Sequence, residues 1–283
     1  MKIYDCFNFF NELDILELRL NILYDHVDHF VLVESDVTHS GEKKPFYFED
    51  NKDRYGKFLD KIIHYKVYDT PTNFVNLPTT DDQELNKIFG FIPNNRWFNR
   101  TTQPDYGRDY FQKESQKRPL VNCSDGDIVM FSDADEIPNP EILGKVGELH
   151  TDTTIYTLNQ NTYYYYLNVL KQRDWYGTKL SSYGRIKNHS LNDIRGDQQN
   201  TKLSNGGWHF SFMGGKEMVE KKITSYSARE MASQEIINSL ENNIQNNIDP
   251  FNRGKLELVD IDGTYPKYVV DNQEKYGHLI KKI

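Results

Sequence analysis

The chain has 283 residues, of which 37% are hydrophobic and 27% are charged, and its formal net charge is −8. This composition is typical of a globular protein and excludes a disordered chain. The acidic balance excludes a protein that binds DNA or RNA through a basic surface, so we expect no nucleic-acid partner. The two cysteines, Cys6 and Cys123, exclude a disulfide framework and a cysteine-rich zinc site.

The sequence contains no run of about 18 apolar residues and no signal-peptide core. We therefore expect a cytoplasmic protein without a membrane span. No pattern in the sequence indicates an oligomeric state, so none is predicted.

The first 35 residues predict a strand, a helix and a second strand. Residues 2–9 alternate loosely between apolar and polar, and 12–26 place apolar residues at helical spacing. Asn11 is predicted to cap this helix at its N-terminus. Residues 30–33 are a short apolar run, typical of a buried parallel strand. Such a βαβ opening favours a parallel sheet with ligands at the C-terminal ends of its strands.

Further strands are predicted at 62–68 and 127–131. Between them, 70–104 contains four prolines and predicts a long loop or lid with short helices. Residues 105–121 predict a helix. Prolines open a further predicted helix at about 138–149.

The second half of the sequence changes to a mainly β pattern. Strands are predicted at 155–158, 162–167, 179–186 and 208–212, followed by helical residues 215–247 and a mixed tail from 250. No internal repeat or low-complexity segment interrupts these elements. We therefore predict one domain over residues 1–283.

A carboxylate cluster, Asp133, Asp135 and Glu136, directly follows the apolar run 128–131. Two carboxylates spaced i, i+2 at a strand end can reach one hard cation if the chain turns there. Mn²⁺ or Mg²⁺ takes oxygen ligands and keeps positions open for phosphate oxygens, so it could offset the charge of a leaving diphosphate. A solvated turn in which Asp133 caps the next helix explains the same triplet equally well.

Blocks of this sequence resemble glycosyltransferase family 17. They are YDCFNFFNELDILELRL at 4–20, VDHFVLVES at 27–35, THSG at 38–41, SDADEIP at 132–138 and GWHFS at 207–211. The family includes β-1,4-mannosyl-glycoprotein N-acetylglucosaminyltransferases, which add the bisecting GlcNAc to N-glycans. Its animal Golgi members carry a membrane anchor that is not visible here. We therefore expect a bacterial or viral glycan to be as good an acceptor as a glycoprotein.

The resemblance implies an inverting transferase that uses a nucleotide sugar, with UDP-GlcNAc as the expected donor. It also implies an α/β fold of the GT-A-like, Rossmann type: a mostly parallel sheet flanked by helices, with a β-containing acceptor half. Residues 1–150 would form the nucleotide-sugar-binding half and 151–283 the acceptor-binding half. In this fold the Asp-x-Asp motif binds Mn²⁺ or Mg²⁺ together with the donor diphosphate.

The resemblance also suggests roles for individual residues. The predicted metal ligands are Asp133, Asp135 and His209. The predicted donor contacts are Phe9, Asn11, Glu12, Glu34, Ser35, Arg108, Lys113, Asp133 and Trp208. The predicted acceptor contacts are His39 and Trp175, and the candidate general bases are Glu136, Asp174 and Glu217, of which one is expected.

Several of these residues, and Arg19 of the first helix, also have a structural explanation. Asn11 could simply cap a helix, and Arg19 could form a structural ion pair. Trp208 and His209 could be a buried pair inside a strand. Arg108 and Lys113 could lie on a solvated helix face.

Two other classes of protein remain as alternatives. A glycoside hydrolase also needs two carboxylates, but it holds them about 5–10 Å apart across a sugar and needs no metal. A non-catalytic carbohydrate-binding protein would explain the tyrosine run 163–166. That run alternates on a strand, however, so two of its tyrosines would face the core.

Overall fold

The computed structural model describes residues 1–282, with Arg229 described by its backbone alone. The strands are β1 Ile3–Asn8, β2 His29–Ser35, β3 Ile62–Val67, β4 Ile128–Asp133, β5 Glu136–Pro138, β6 Tyr156–Tyr164, β7 Val169–Ser182, β8 Thr201–Ser211 and β9 Glu257–Leu258. The helices are α1 Leu13–Leu23, α2 Tyr47–Asp50, α3 Gln83–Phe91, α4 Pro104–Glu114, α5 Pro140–Leu143, α6 Tyr183–Ile186, α7 Leu191–Gly196, α8 Gly215–Ser225, α9 Gln234–Asn246 and α10 Lys267–Asp271.

One curled sheet joins both halves of the chain, in the order β3-β2-β1-β4-β7-β6-β8-β5, with β9 paired to β7. The first four of these strands are parallel to one another. β7 is antiparallel to β4 and β6, whereas β8 is parallel to β6 and antiparallel to β5. The predicted α/β fold with a sheet flanked by helices is confirmed. The division of function at residue 150 stays a prediction.

Apolar side chains cover both faces of the parallel strands, because successive residues of a strand point to opposite sides. Phe7 belongs to a core shared with the leucines of α1, and Cys6 belongs to a core shared with α3 and α4. A third core joins α8 and α9 to β7. Within residues 1–282, no helix has both the length and the apolar composition that a membrane span needs.

Three predicted elements of the first half are corrected by the structure. Residue Glu12, not Asn11, occupies the N-cap position of α1, and the carbonyl oxygen of Asn11 accepts a hydrogen bond from the Leu13 amide. The helix predicted at 105–121 ends at Glu114 and continues only as a 3-10 turn. The helix predicted from Pro138 begins at Pro140, because Pro138 lies in β5, which pairs with β8.

The second half contains four further corrections. The strands predicted at 155–158 and 162–167 are one strand, β6, and the strand predicted at 208–212 begins at Thr201, as β8. The strand predicted at 179–186 is longer and earlier, since β7 runs over Val169–Ser182 and α6 follows it. The helical stretch predicted at 215–247 is broken between α8 and α9. For the strands, pairing with distant segments decides the boundaries, which local periodicity does not report.

Candidate active site

A buried arginine shapes the loop that carries the acidic triplet. Arg19 of α1 has no exposed surface and forms a bidentate ion pair with Asp5 of β1, at 2.6 and 2.8 Å. Its Nη1 donates to the carbonyl oxygens of Asp133, Ala134 and Glu136 at 2.8–3.1 Å. The interpretation of Arg19 as structural is confirmed: it fixes the turn that follows β4.

The first aspartate of the triplet faces a cation. The Asp133 side chain is 38% exposed, and its Oδ2 lies 3.0 Å from Nη2 of Arg195 in α7. The same Nη2 lies 2.5 Å from Oε1 of Glu136, which is fully buried and also accepts a hydrogen bond of 2.8 Å from Trp175 Nε1. Burial opposes ionisation of Glu136, but Arg195 outweighs it and lowers the pKa of Glu136 to about 2. Arg195 therefore holds Glu136 in its charged form in this arrangement.

The second aspartate faces a different cation. The Asp135 side chain is 5% exposed, and its Oδ2 lies 2.7 Å from Nζ of Lys222 in α8 and 3.5 Å from Nε2 of His209. Lys222 also reaches Oε1 of Glu12 at 3.1 Å. Burial alone would raise the pKa of Asp135, but Lys222 and His209 hold it well below its usual range. The ring of Trp175 stacks on His209 at 4.8 Å between centroids.

A second charged group is centred on Asp109 and Lys113 of α4. Asp109 of α4 contacts Nζ of Lys113 at 3.0 Å, Nε2 of His39 at 3.7 Å and the hydroxyl of Ser227 at 3.2 Å. Burial opposes ionisation here too, yet Lys113 and His39 lower the pKa of Asp109 to about 2. A small cavity borders Lys113, Asp133 and Arg195. This group is therefore the polar wall next to the exposed carboxylate.

Five other predicted donor contacts lie elsewhere or have structural partners. Glu34 is fully buried and accepts hydrogen bonds from the Tyr47 and Phe48 amides, Lys44 and His64. Ser35 forms a hydrogen bond with Thr70, and Phe9 is buried in the core. Arg108 pairs with Asp105 and donates a hydrogen bond to the His39 carbonyl oxygen. Trp208 donates a hydrogen bond to the Thr264 carbonyl oxygen. Trp208 packs in the core because it points to the opposite face of β8 from His209. Asn11 is buried, and its side-chain nitrogen has no hydrogen-bond partner within the described chain.

The remaining two candidate bases are not joined to this cluster. Asp174 is exposed and accepts a hydrogen bond of 3.0 Å from Asn159. Glu217 is exposed in the first turn of α8. Among the described residues, no hydrogen bond or ion pair connects either of them with Asp133 or Asp135.

The sequence as a whole is similar to one known family of proteins. The model of glycosyltransferase family 17 matches residues 1–252. The chain belongs to glycosyltransferase family 17. It is therefore a glycosyltransferase, with a sugar donor and an acceptor as substrates, rather than a hydrolase or a non-catalytic binding protein. A search of the curated proteins returned no match.

The side chains of this family 17 member do not form a ready ligand set for a metal ion. A divalent cation needs several ligands directed at one point. Asp135 and His209 are neighbours, but Lys222 already bonds the Asp135 oxygen, and Asp133 faces Arg195. Among residues 1–282, no group of three or more His, Cys, Asp and Glu side chains is arranged to hold a metal. The residues as arranged do not fit a metal centre, and the expected Mn²⁺ or Mg²⁺ stays a prediction.

Four residues of the site were not predicted from the sequence: Asp109, Arg195, Lys222 and Ser227. No motif surrounds them, and apart from the Asp109–Lys113 pair within α4 their partners lie far away in the chain. Arg195 is 62 residues from Asp133, and Lys222 is 87 residues from Asp135. The sequence contains one indication, because a buried acidic loop requires cations nearby. It does not indicate which lysines or arginines supply them.

Proposed function

We propose that this glycosyltransferase moves a sugar from a nucleotide-sugar donor to a hydroxyl group of a glycan, with the donor over the C-terminal ends of β1 and β4. One observation carries the proposal: the partly exposed Asp133 carboxylate follows a parallel strand and lies beside the Arg195 guanidinium. Ligands of open α/β sheets bind at this edge. The family resemblance favours UDP-GlcNAc as the donor.

Positive charge near the donor would promote departure of the nucleotide diphosphate. Arg195 contacts Asp133, Lys222 contacts Asp135, and Lys113 borders the same small cavity as Asp133 and Arg195. Cations fixed before the reaction stabilise charge that develops on a leaving oxygen, and they do so more strongly where water is scarce. This supports a role for the cluster in binding and activating the donor diphosphate.

The proposed transfer inverts the configuration at the anomeric carbon. The acceptor oxygen attacks that carbon from the face opposite the diphosphate, the bond to the phosphate oxygen breaks, and a base takes the hydroxyl proton. Glu136, Asp174 and Glu217 stay the predicted bases. Trp175, partly exposed and stacked on His209, and His39 are the proposed acceptor contacts.

A thermal-shift screen tests donor binding. The protein is heated with UDP-, GDP-, dTDP- and CMP-sugars, each in Mn²⁺ and in EDTA. A ligand at 100 times its Kd stabilises the folded state by about 2.7 kcal/mol, so one nucleotide class should raise Tm. Asp133→Asn should reduce this rise, whereas the exposed control Asp81→Asn should retain it.

The outcome separates the parts of the proposal. No shift with any nucleotide sugar would reject the donor site. A Tm rise that disappears in EDTA would support the prediction that donor binding needs Mn²⁺ or Mg²⁺. If a donor is found, proton NMR of the first product anomer shows whether the configuration is inverted.

A further inference from the structure

Lys222 lies where two carboxylates of the site converge. Its Nζ is 2.7 Å from Oδ2 of Asp135 and 3.1 Å from Oε1 of Glu12, and its side chain is only 20% exposed. The two carboxylates follow neighbouring strands of the sheet: Glu12 is the N-cap of α1, just after β1, and Asp135 lies in the loop after β4. One ammonium group therefore bridges the segments that follow these two strands.

Contacts other than those with Lys222 hold both of these carboxylate-bearing residues in place. The second oxygen of Glu12 accepts the amides of Phe10 and Asn11, at 3.3 and 3.1 Å. Asp135 lies in the loop that Arg19 holds, and its backbone carbonyl accepts the Phe210 amide at 2.8 Å. Their oxygens therefore form a rigid site for a cation rather than two mobile surface charges.

The helix that carries Lys222 is also fixed. Val219 and Ile223 of α8 are buried in the core shared with α9, on either side of Lys222 in sequence. The Lys222 ammonium also lies 5.7 Å from the centre of the Phe212 ring. A divalent cation at Asp135 would have to displace an ammonium that has two carboxylate partners and an anchored backbone.

We propose that Lys222 is the built-in cation of this site and takes the place of a divalent metal at Asp135. Together with Arg195 at Asp133, it gives each aspartate of the Asp-x-Asp motif its own fixed cation. An ammonium in this place offsets the acidic loop and leaves its remaining hydrogen for a phosphate oxygen. The role toward the donor rests on the proposed function; the exclusion of metal does not.

Titration with Mn²⁺ alone, followed by the electron paramagnetic resonance signal of the free ion, tests the exclusion. The wild-type protein should bind Mn²⁺ weakly, and Lys222→Met should bind it at least tenfold more tightly, because the carboxylates of Glu12 and Asp135 then lose the positive charge that they share. Lys222→Arg keeps the charge and should behave as wild type. Lys216→Met, an exposed change on the same helix, is the matched control.

Wild-type protein that binds Mn²⁺ as tightly as Lys222→Met would overturn the proposal. If Lys222→Met does not fold, the wild-type titration still tests the exclusion of metal. Tight binding of Mn²⁺ by the wild type that is abolished in Asp135→Asn would refute the proposal.

Calorimetric binding of UDP to the wild type in EDTA tests whether Lys222 contributes to donor binding. We expect binding there, with a loss of at least tenfold in Lys222→Gln and recovery in Lys222→Arg. The Mn²⁺ titration involves no nucleotide, so it tests the exclusion of metal even if the protein binds no nucleotide sugar.

Discussion

Arg19 differs from the other cations of the site because it has no exposed surface. It bonds one carboxylate, one hydroxyl and three carbonyl oxygens. Its guanidinium presents five N–H donors in a fixed plane, which an ammonium could not reproduce in this geometry. A single side chain thereby ties α1 and β1 to the loop that presents Asp133 and Asp135.

Replacing Arg19 with Met should destabilise the protein by about 3–5 kcal/mol, because Asp5 would remain charged and buried without its partner. Urea unfolding at pH 7 measures the change. Arg54→Met is the control, since Arg54 pairs with Asp14 and Glu17 but is 34% exposed, and it should cost no more than about 1 kcal/mol. The double variant Arg19→Met with Asp5→Leu should recover part of the loss. Equal losses in Arg19→Met and Arg54→Met would contradict this account.

Among the elements, β5 and β8 pair closely beside the site. Their pairing places Glu136 opposite His209 and Gly207 opposite Pro138. Gly207 has a φ of +131°, and a Cβ there would lie 2.1 Å from the Ile137 carbonyl oxygen. Gly207 therefore lets β8 approach β5 more closely than a residue with a Cβ would allow.

Gly207→Ala should separate β5 from β8, because both its conformation and its contacts exclude a methyl group. The strained backbone alone costs about 1–3 kcal/mol, and the clash with Ile137 adds to it. Urea unfolding should show this loss, and the Tm rise with donor should shrink as His209 moves from Asp135. Gly263→Ala adds a Cβ that meets nothing within 4 Å and should change stability by less than about 1 kcal/mol. If Gly207→Ala and Gly263→Ala have the same free energy of unfolding, the prediction is wrong and β5 can move to accommodate the added methyl group.

The elements that the sequence predicted best are those whose pattern is local. The 3.6-residue spacing of apolar residues in α1 and the apolar runs of β2 and β4 gave the βαβ opening and its parallel strands. β5 was missed because three residues carry no periodicity, and only pairing with β8 makes them a strand. β7 is longer than predicted because its exposed first half is fixed by pairing with β6 and β9.

The residues of the candidate site also divide into those that the sequence predicted and those that it did not. Asp133 and Asp135 were found because they stand together after an apolar strand, and His209 because it stands in a family motif. Lys222 and Arg195 lie in helices whose sequences do not distinguish them from other lysines and arginines. Trp208 and Glu34 stand in family motifs too, yet the structure gives them core packing and backbone partners. A motif therefore predicted the acidic loop, and the three-dimensional contacts show which other side chains lie beside it.

At the scale of the whole molecule, an excess of acidic residues is held in ion pairs and hydrogen bonds on many elements. Burial opposes ionisation of these groups, yet their partners lower the pKa values of Asp14, Glu17, Asp109, Asp127 and Asp249. A carboxyl group with a lowered pKa in the folded state binds protons more readily when the chain unfolds. Its stabilising contribution is therefore complete above the unfolded pKa and is lost as the pH falls through the folded value. Folding stability should thus decline below about pH 4–5.

Asp109→Asn isolates one part of this decline. The pKa of Asp109 is about 2 in the folded protein, against about 3.9 in an unfolded chain, so its contribution is present at pH 5 and disappears between about pH 4 and pH 2. The variant should be less stable than wild type at pH 7, because Lys113 loses its carboxylate partner. The difference should narrow at pH 3 and below. Urea unfolding at pH 7, 5, 4, 3 and 2.5 measures both curves, with the exposed change Asp81→Asn as control. A gap between wild type and Asp109→Asn that stays constant down to pH 2.5 would mean that Asp109 is not held as a charged partner of Lys113.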